Sequence, residues 1–171
     1  MTSFSLLAFS SEAFAVPTSL SFQSKIYKPD GAALEASSVN FRFSTVDPTG
    51  TCILYVEDFA SVNMAGSSGL VIFNLGSGTK VYPTVAYTFT TVFNNLAPSF
   101  TCQGGGTYSP GMSGSDSRKI IAQFFDGSAA GWQTLPAVNV NSVPYSNYAG
   151  DSVKLAGFPA GDFLRYATLP V

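Results

Sequence analysis

The stretch from Asn139 to Leu169 limits the fold more than any other part of this chain. It is rich in side chains that need burial: Val140, Val143, Tyr145, Tyr148, Val153, Leu155, Phe158, Phe163, Leu164 and Tyr166. Pro144, Gly150, Gly157, Pro159 and Gly161 interrupt it too often for one long helix or one long strand. Such a segment finds its core on neighbouring chains or lies on the domain that precedes it. The first option is the reading taken here, and it points to an assembly component rather than an enzyme.

The composition sets the remaining bounds. The chain has 171 residues, room for one ordinary domain with appendages. Charged residues are 11 % and aromatics 14 %, which is opposite to the balance of a disordered chain. An all-β extracellular protein with a hydroxyl-rich surface fits that balance. The net charge of −2 lacks the basic footprint that nucleic-acid binding needs. No histidine is present, so most hydrolytic and zinc chemistry loses its usual base and ligand. No cofactor is expected.

Residues 1–15 have the form of a secretory signal, with an apolar run from Phe4 to Phe9 and a small-x-small end at Ala13-Phe14-Ala15. The positively charged start is missing, so either the true initiator lies upstream or this is an apolar N-terminus of another kind. No other run approaches a membrane span. Cys52 and Cys102 fit an exported domain with one disulfide, with two buried thiols as the alternative. The expected location is exported, at the cell surface, outside the cell or in the periplasm.

The organisation reads as strands separated by turns. Ser19 to Tyr27 alternates apolar and polar residues and is followed by the turn Lys28-Pro29-Asp30-Gly31. Val39 to Val46 and Thr51 to Asp58, joined by Asp47-Pro48-Thr49-Gly50, make a hairpin. Gly69 to Leu75 is almost continuously apolar and is expected to be covered on both faces. Val85 to Phe93 is either a strand or a short helix. Gln103 to Ser117 reads as a long loop, mobile unless Cys102 anchors its start. Arg118 to Asp126 reads as a central strand and Gly131 to Leu135 as a short final one. About seven strands indicate a β-sandwich over residues 16–138, with a small barrel as the alternative, followed by a segment over 139–171.

Candidate chemistry is thin. Glu57 and Asp58 are neighbours on a strand and point to opposite faces, so they cannot flank one scissile bond. A solvated strand end is the expected setting for both. Gly104-Gly105-Gly106 has no lysine in phosphate-loop spacing. Asp116 alone is too poor a ligand set for calcium. Trp132 and Tyr108 offer rings that could stack on a sugar, though a lone tryptophan in a sandwich is more often core. No catalytic residue or metal ligand is assigned, and no enzymatic activity is expected.

The tail adds a resemblance. Val143-Pro144-Tyr145, Ala149, Leu155, Gly157, Ala160, Phe163 and Leu164 resemble a repeat found in phage tail fibres and bacterial surface fibres, with Ala156 where that repeat usually has aspartate. Upstream, Phe22-Gln23, Lys28 to Gly31, Val39-Asn40-Phe41, Pro48 to Cys52 and Tyr55 are similar to the N-terminal domain preceding the shaft in trimeric fibre and adhesin proteins of predatory bacteria. The resemblance implies a homotrimer in which residues 139–171 form the shaft. Val143, Tyr145, Tyr148, Val153, Leu155, Phe158, Phe163 and Leu164 would be its contacts. It also implies attachment to other cells or surfaces, with a cell-surface glycan or protein bound through a distal tip. The chain is then expected to be the base of a longer fibre or a short relative without its own adhesin.

A strip of this kind is apolar enough to drive association, each covered side chain contributing roughly 1.5–3 kcal/mol. A threefold axis closes such an assembly. Two other readings stand beside it: a carbohydrate-binding module using Trp132 and Tyr108, and a pilus-type subunit whose tail adds a strand to the next copy.

Overall fold

The computed structural model describes residues 19–84, 87–95, 99–111, 116–128 and 131–140, together with the backbone of 154–155 and 158–159. The expected signal (1–15) and most of the expected shaft segment lie outside the described residues. Within them the protein is an all-β sandwich.

The larger sheet is built around β2 (Val39–Val46), which pairs antiparallel with β3 (Ile53–Val62) on one side and β8 (Arg118–Phe125) on the other. β5 (Thr79–Tyr82) extends it beyond β3, while β9 (Gln133–Thr134) and β10 (Val138–Val140) both pair with β8. The second layer is a two-stranded sheet of β1 (Leu20–Lys25) and β4 (Leu70–Leu75). A 3₁₀ turn, η1 (Thr90–Phe93), and the small hairpin of β6 (Phe100–Thr101) and β7 (Thr107–Tyr108) close one end.

Alternation places the rings between the layers. Phe41 and Phe43 on β2 and Phe73 on β4 meet at 4.9 Å, Phe22 on β1 reaches Phe43 at 5.1 Å, and Phe59 reaches Phe73 at 4.8 Å. Tilted and edge-on rings at these separations add about 0.5–1.5 kcal/mol per pair beyond their buried area. On β8, Arg118, Ile120, Ala122 and Phe124 point inward and their neighbours outward, the period-two pattern of a half-covered sheet.

The β2–β3 hairpin forms where its alternation and turn place it, although β3 starts at Ile53 and runs on to Val62. Asp47 explains the turn. Its carboxylate accepts the N–H groups of Thr51 and Cys52, each at 2.8 Å, and that of Thr49 at 3.3 Å. Burial pushes this carboxyl up, but the Thr49 hydroxyl and the N–H groups of Cys52, Thr49 and Thr51 outweigh it and hold Asp47 below its ordinary value of 3.8. A carboxylate held low stabilises the fold above its unfolded value, and that contribution is lost as pH falls through the folded one. Asp47→Asn should therefore cost about 1–2 kcal/mol at pH 7. In urea titrations the gap to the native protein should close as the pH is lowered below 3.8. A gap independent of pH would remove the carboxylate from the account of the turn.

Several expectations are corrected. The Gly69–Leu75 run is covered on one face only: Val71, Phe73 and Leu75 are buried, while Ile72 is 63 % exposed, because no described layer lies outside the two-stranded sheet. Of the two alternatives for Val85 to Phe93, the short helix is the one found, as a 3₁₀ turn at Thr90–Phe93, while Val85 and Ala86 lie outside the described residues. Gln133–Thr134 is followed by β10, whose Val138, Asn139 and Val140 pair with Ile120, Lys119 and Arg118. The sheet thus runs across the boundary drawn between residues 138 and 139. Further on, Lys154 pairs with Pro159 and Leu155 with Phe158 as β11 (Lys154–Leu155) and β12 (Phe158–Pro159).

One glycine sets how closely the two strands of the smaller sheet approach where β1 ends and β4 begins. Gly69 has φ +79°, and a Cβ there would sit 2.5 Å from the Ile26 carbonyl oxygen. That approach lets Ile26 N–H donate to the Gly69 carbonyl at 2.9 Å, fastening the end of β1 to the start of β4.

Candidate functional site

Cys52, at the entrance to β3, and Cys102, after β6, are joined in a disulfide with their Cα atoms 5.0 Å apart. The bond pins the start of the 103–117 segment against the sandwich, and Gln103 N–H donates to the Ile53 carbonyl at 2.9 Å beside it. The Gly/Ser loop is therefore anchored, the outcome that the reading of the loop made conditional on Cys102. Among the described residues no helix is long and apolar enough to cross a membrane. A disulfide is at home in an oxidising compartment, which fits a location outside the cytoplasm.

The far end of the same loop is held by Arg118. This guanidinium is 1 % exposed. Its Nε donates to the Val92 carbonyl at 2.7 Å, Nη1 to the Tyr108 hydroxyl at 3.0 Å and the Ser117 carbonyl at 3.1 Å, and Nη2 to Asn95 Oδ1 at 2.9 Å. The ring of Tyr108 lies 4.9 Å from the guanidinium carbon. Tyr108 in turn donates its hydroxyl to Asp116 at 2.7 Å, and Asp116 also accepts the Gly111 N–H at 2.7 Å.

The charges are balanced through an intermediary rather than by direct contact. Burial lowers Arg118, an effect that the Tyr108 and Asp116 groups oppose. Burial and the Asp116 bond push Tyr108 up to about 12. The Gly111 N–H and the Tyr108 hydroxyl hold Asp116 low. The Tyr108 hydroxyl thus links the guanidinium to the carboxylate, accepting from Arg118 and donating to Asp116. Tyr108, expected with Trp132 as a sugar contact, lies in this network near the opposite end of β8.

Glu57 corrects another expectation. It is fully buried rather than at a solvated strand end, and its carboxylate accepts the N–H groups of Gly76 at 2.7 Å and Gly78 at 2.8 Å. It organises the turn between β4 and β5. Burial pushes its carboxyl up, against the two N–H bonds. Its neighbour Asp58 points to the other face, as the strand geometry requires. There it takes a bidentate bond from Arg42, Nε to Oδ1 and Nη2 to Oδ2, each 2.8 Å. The Glu57–Asp58 pair therefore cannot share a substrate.

Trp132 lies on that outer face, 38 % exposed, with the Arg42 guanidinium 4.9 Å from its ring centre and Phe125 6.1 Å away. It is a surface ring rather than core filling. Between β1 and the β8–β10 edge lies a cavity of about 370 Å³, lined mainly by apolar groups including Phe22, Ile26, Ile120, Leu135 and Val138. It offers few groups that would orient a small polar ligand. Among the described residues no group of three or more acidic, cysteine or histidine side chains could hold a metal ion.

These features define a disulfide-closed, all-β sandwich domain whose buried charges organise loops. No family model, curated protein or solved structure matches this chain.

Proposed function

We propose that the protein is a structural and adhesive component of an exported homotrimeric surface fibre, which attaches to other cells or surfaces. The observation that carries this reading is the make-up of the tail. Thirty-one residues follow Val140, carrying Val143, Tyr145, Tyr148, Val153, Leu155, Phe158, Phe163 and Leu164 with little charge to keep them in water. Self-association of that strip buries it, and a closed rotation limits the assembly to a finite number of copies. The disulfide supports export, since such bonds persist in oxidising compartments. Function is then mechanical: three copies on one stalk bind with avidity, because the second contact is intramolecular.

Light-scattering mass in solution tests the proposal. The full chain should run at three times 17.9 kDa, and a chain truncated after Val140 should run as a folded monomer. A full-length monomer, or a trimer that survives the truncation, would remove the tail's role.

One observation favours a second reading, in which copies are chained by strand addition. Among the described strands β1 pairs only with β4, and the apolar cavity opens beside it. Electron microscopy separates the two, because strand addition from copy to copy gives open filaments of varying length.

A further inference from the structure

The outer face of the larger sheet carries a polar row that crosses four strands in register. Asp58 on β3 stands opposite Arg42 on β2, Arg42 opposite Gln123 on β8, and Gln123 opposite Thr134 on β9. Strands lie about 4.8 Å apart, so the row is about 14 Å long. Its members are fixed to one another: Arg42 grips Asp58 through two bonds of 2.8 Å, and Gln123 Nε2 donates to Thr134 Oγ1 at 2.9 Å. The Arg42 and Asp58 side chains remain 33 % and 28 % exposed. Trp132 flanks the row, its tilt set by the guanidinium on one side and by Phe125.

We propose that this row, with Trp132, is a binding platform for a neutral saccharide chain. Three features select that chemistry. The row is electrically balanced, one cation against one anion, so a polyanion would meet Asp58 and a polycation Arg42 at close range. It presents acceptors and donors side by side. Gln123 Oε1 and Arg42 Nη1 make no hydrogen bond to a described residue, and the Asp58 oxygens keep lone pairs beyond the Arg42 bonds. Vicinal sugar hydroxyls both donate and accept, and match such a set. The indole beside the row supplies an apolar surface for the C–H face of a sugar ring, and its neighbours hold it in place before the ligand arrives. A flat, mostly polar strip of this length is too small and too wet for a stable protein interface. The platform belongs to the sandwich and does not depend on the tail or on trimer formation.

Trp132 is the only tryptophan, so emission excited at the red edge of the band, where tyrosine does not absorb, reports on this site. The probes are neutral oligosaccharides of glucose, galactose, mannose and N-acetylglucosamine, with sulfated and sialylated chains alongside. At least one neutral chain should shift the emission and bind in calorimetry. Gln123→Ala should weaken that binding about tenfold, the equivalent of one lost hydrogen-bonding partner, with an unchanged melting temperature. Trp132→Ala, followed by calorimetry, should weaken it at least as much. Binding only by the charged chains, no shift with any neutral chain, or full affinity in a folded Trp132→Ala protein would each overturn the proposal. The oligomeric mass is unaffected by any of these results, so failure here and failure of the fibre reading are separate outcomes.

Discussion

Reduction of the Cys52–Cys102 disulfide is expected to lower the unfolding free energy by about 4 kcal/mol, the loop-closure entropy for a separation of 50 residues. The effect acts on the unfolded chain, which regains the freedom that the bond removes. It also acts on the folded one, because the bond holds Cys102 and Gln103 at the mouth of β3. The measurement is urea unfolding with and without a phosphine reductant, repeated on Cys52→Ala/Cys102→Ala. The two should agree, with the midpoint displaced downward and the slope raised as the unfolded chain expands. A loss below about 1 kcal/mol would mean that packing alone supplies the anchorage.

Arg118→Ala is expected to cost about 3–5 kcal/mol, comparable with breaking a buried ion pair. The truncation leaves the Val92 carbonyl, the Asn95 side chain and the Tyr108 hydroxyl without their donor and opens a void under the Tyr108 ring. Arg118→Lys should recover only part of the loss, since an ammonium reaches fewer of these acceptors than the planar fork does. Denaturant titration of both variants checks the size. Hydrogen exchange across residues 87–117 checks the location, with protection falling there first. An Arg118→Ala protein as stable as the native one would show that the guanidinium is carried rather than used.

Much of the sandwich was legible because its signals are local. The alternation of Val39, Phe41 and Phe43, and the turn at Asp47 to Gly50, specify a hairpin without knowledge of the rest of the chain. The two cysteines could be paired because no others compete. What was not legible depends on contacts between distant residues. Glu57 reads as a polar strand end until the β4–β5 turn brings Gly76 and Gly78 onto its carboxylate, and Gly78 leaves the room that this needs. Arg118 reads as the start of a central strand, and nothing adjacent to it announces Val92, Asn95 and Tyr108. Ile72 misled in the opposite direction: an unbroken apolar run suggests two covered faces, whereas the second layer is a single pair of strands. Trp132 could be singled out from composition, but its neighbours Arg42 and Phe125 meet it only through the sheet.

The covalent link also changes what damage to this domain would look like. A single cut anywhere between Cys52 and Cys102, including the turns near Gly66 and Gly78, leaves both fragments tied together through sulfur. A clipped molecule would gain only the mass of one water until a thiol is added, so peptide-bond scission need not release either half.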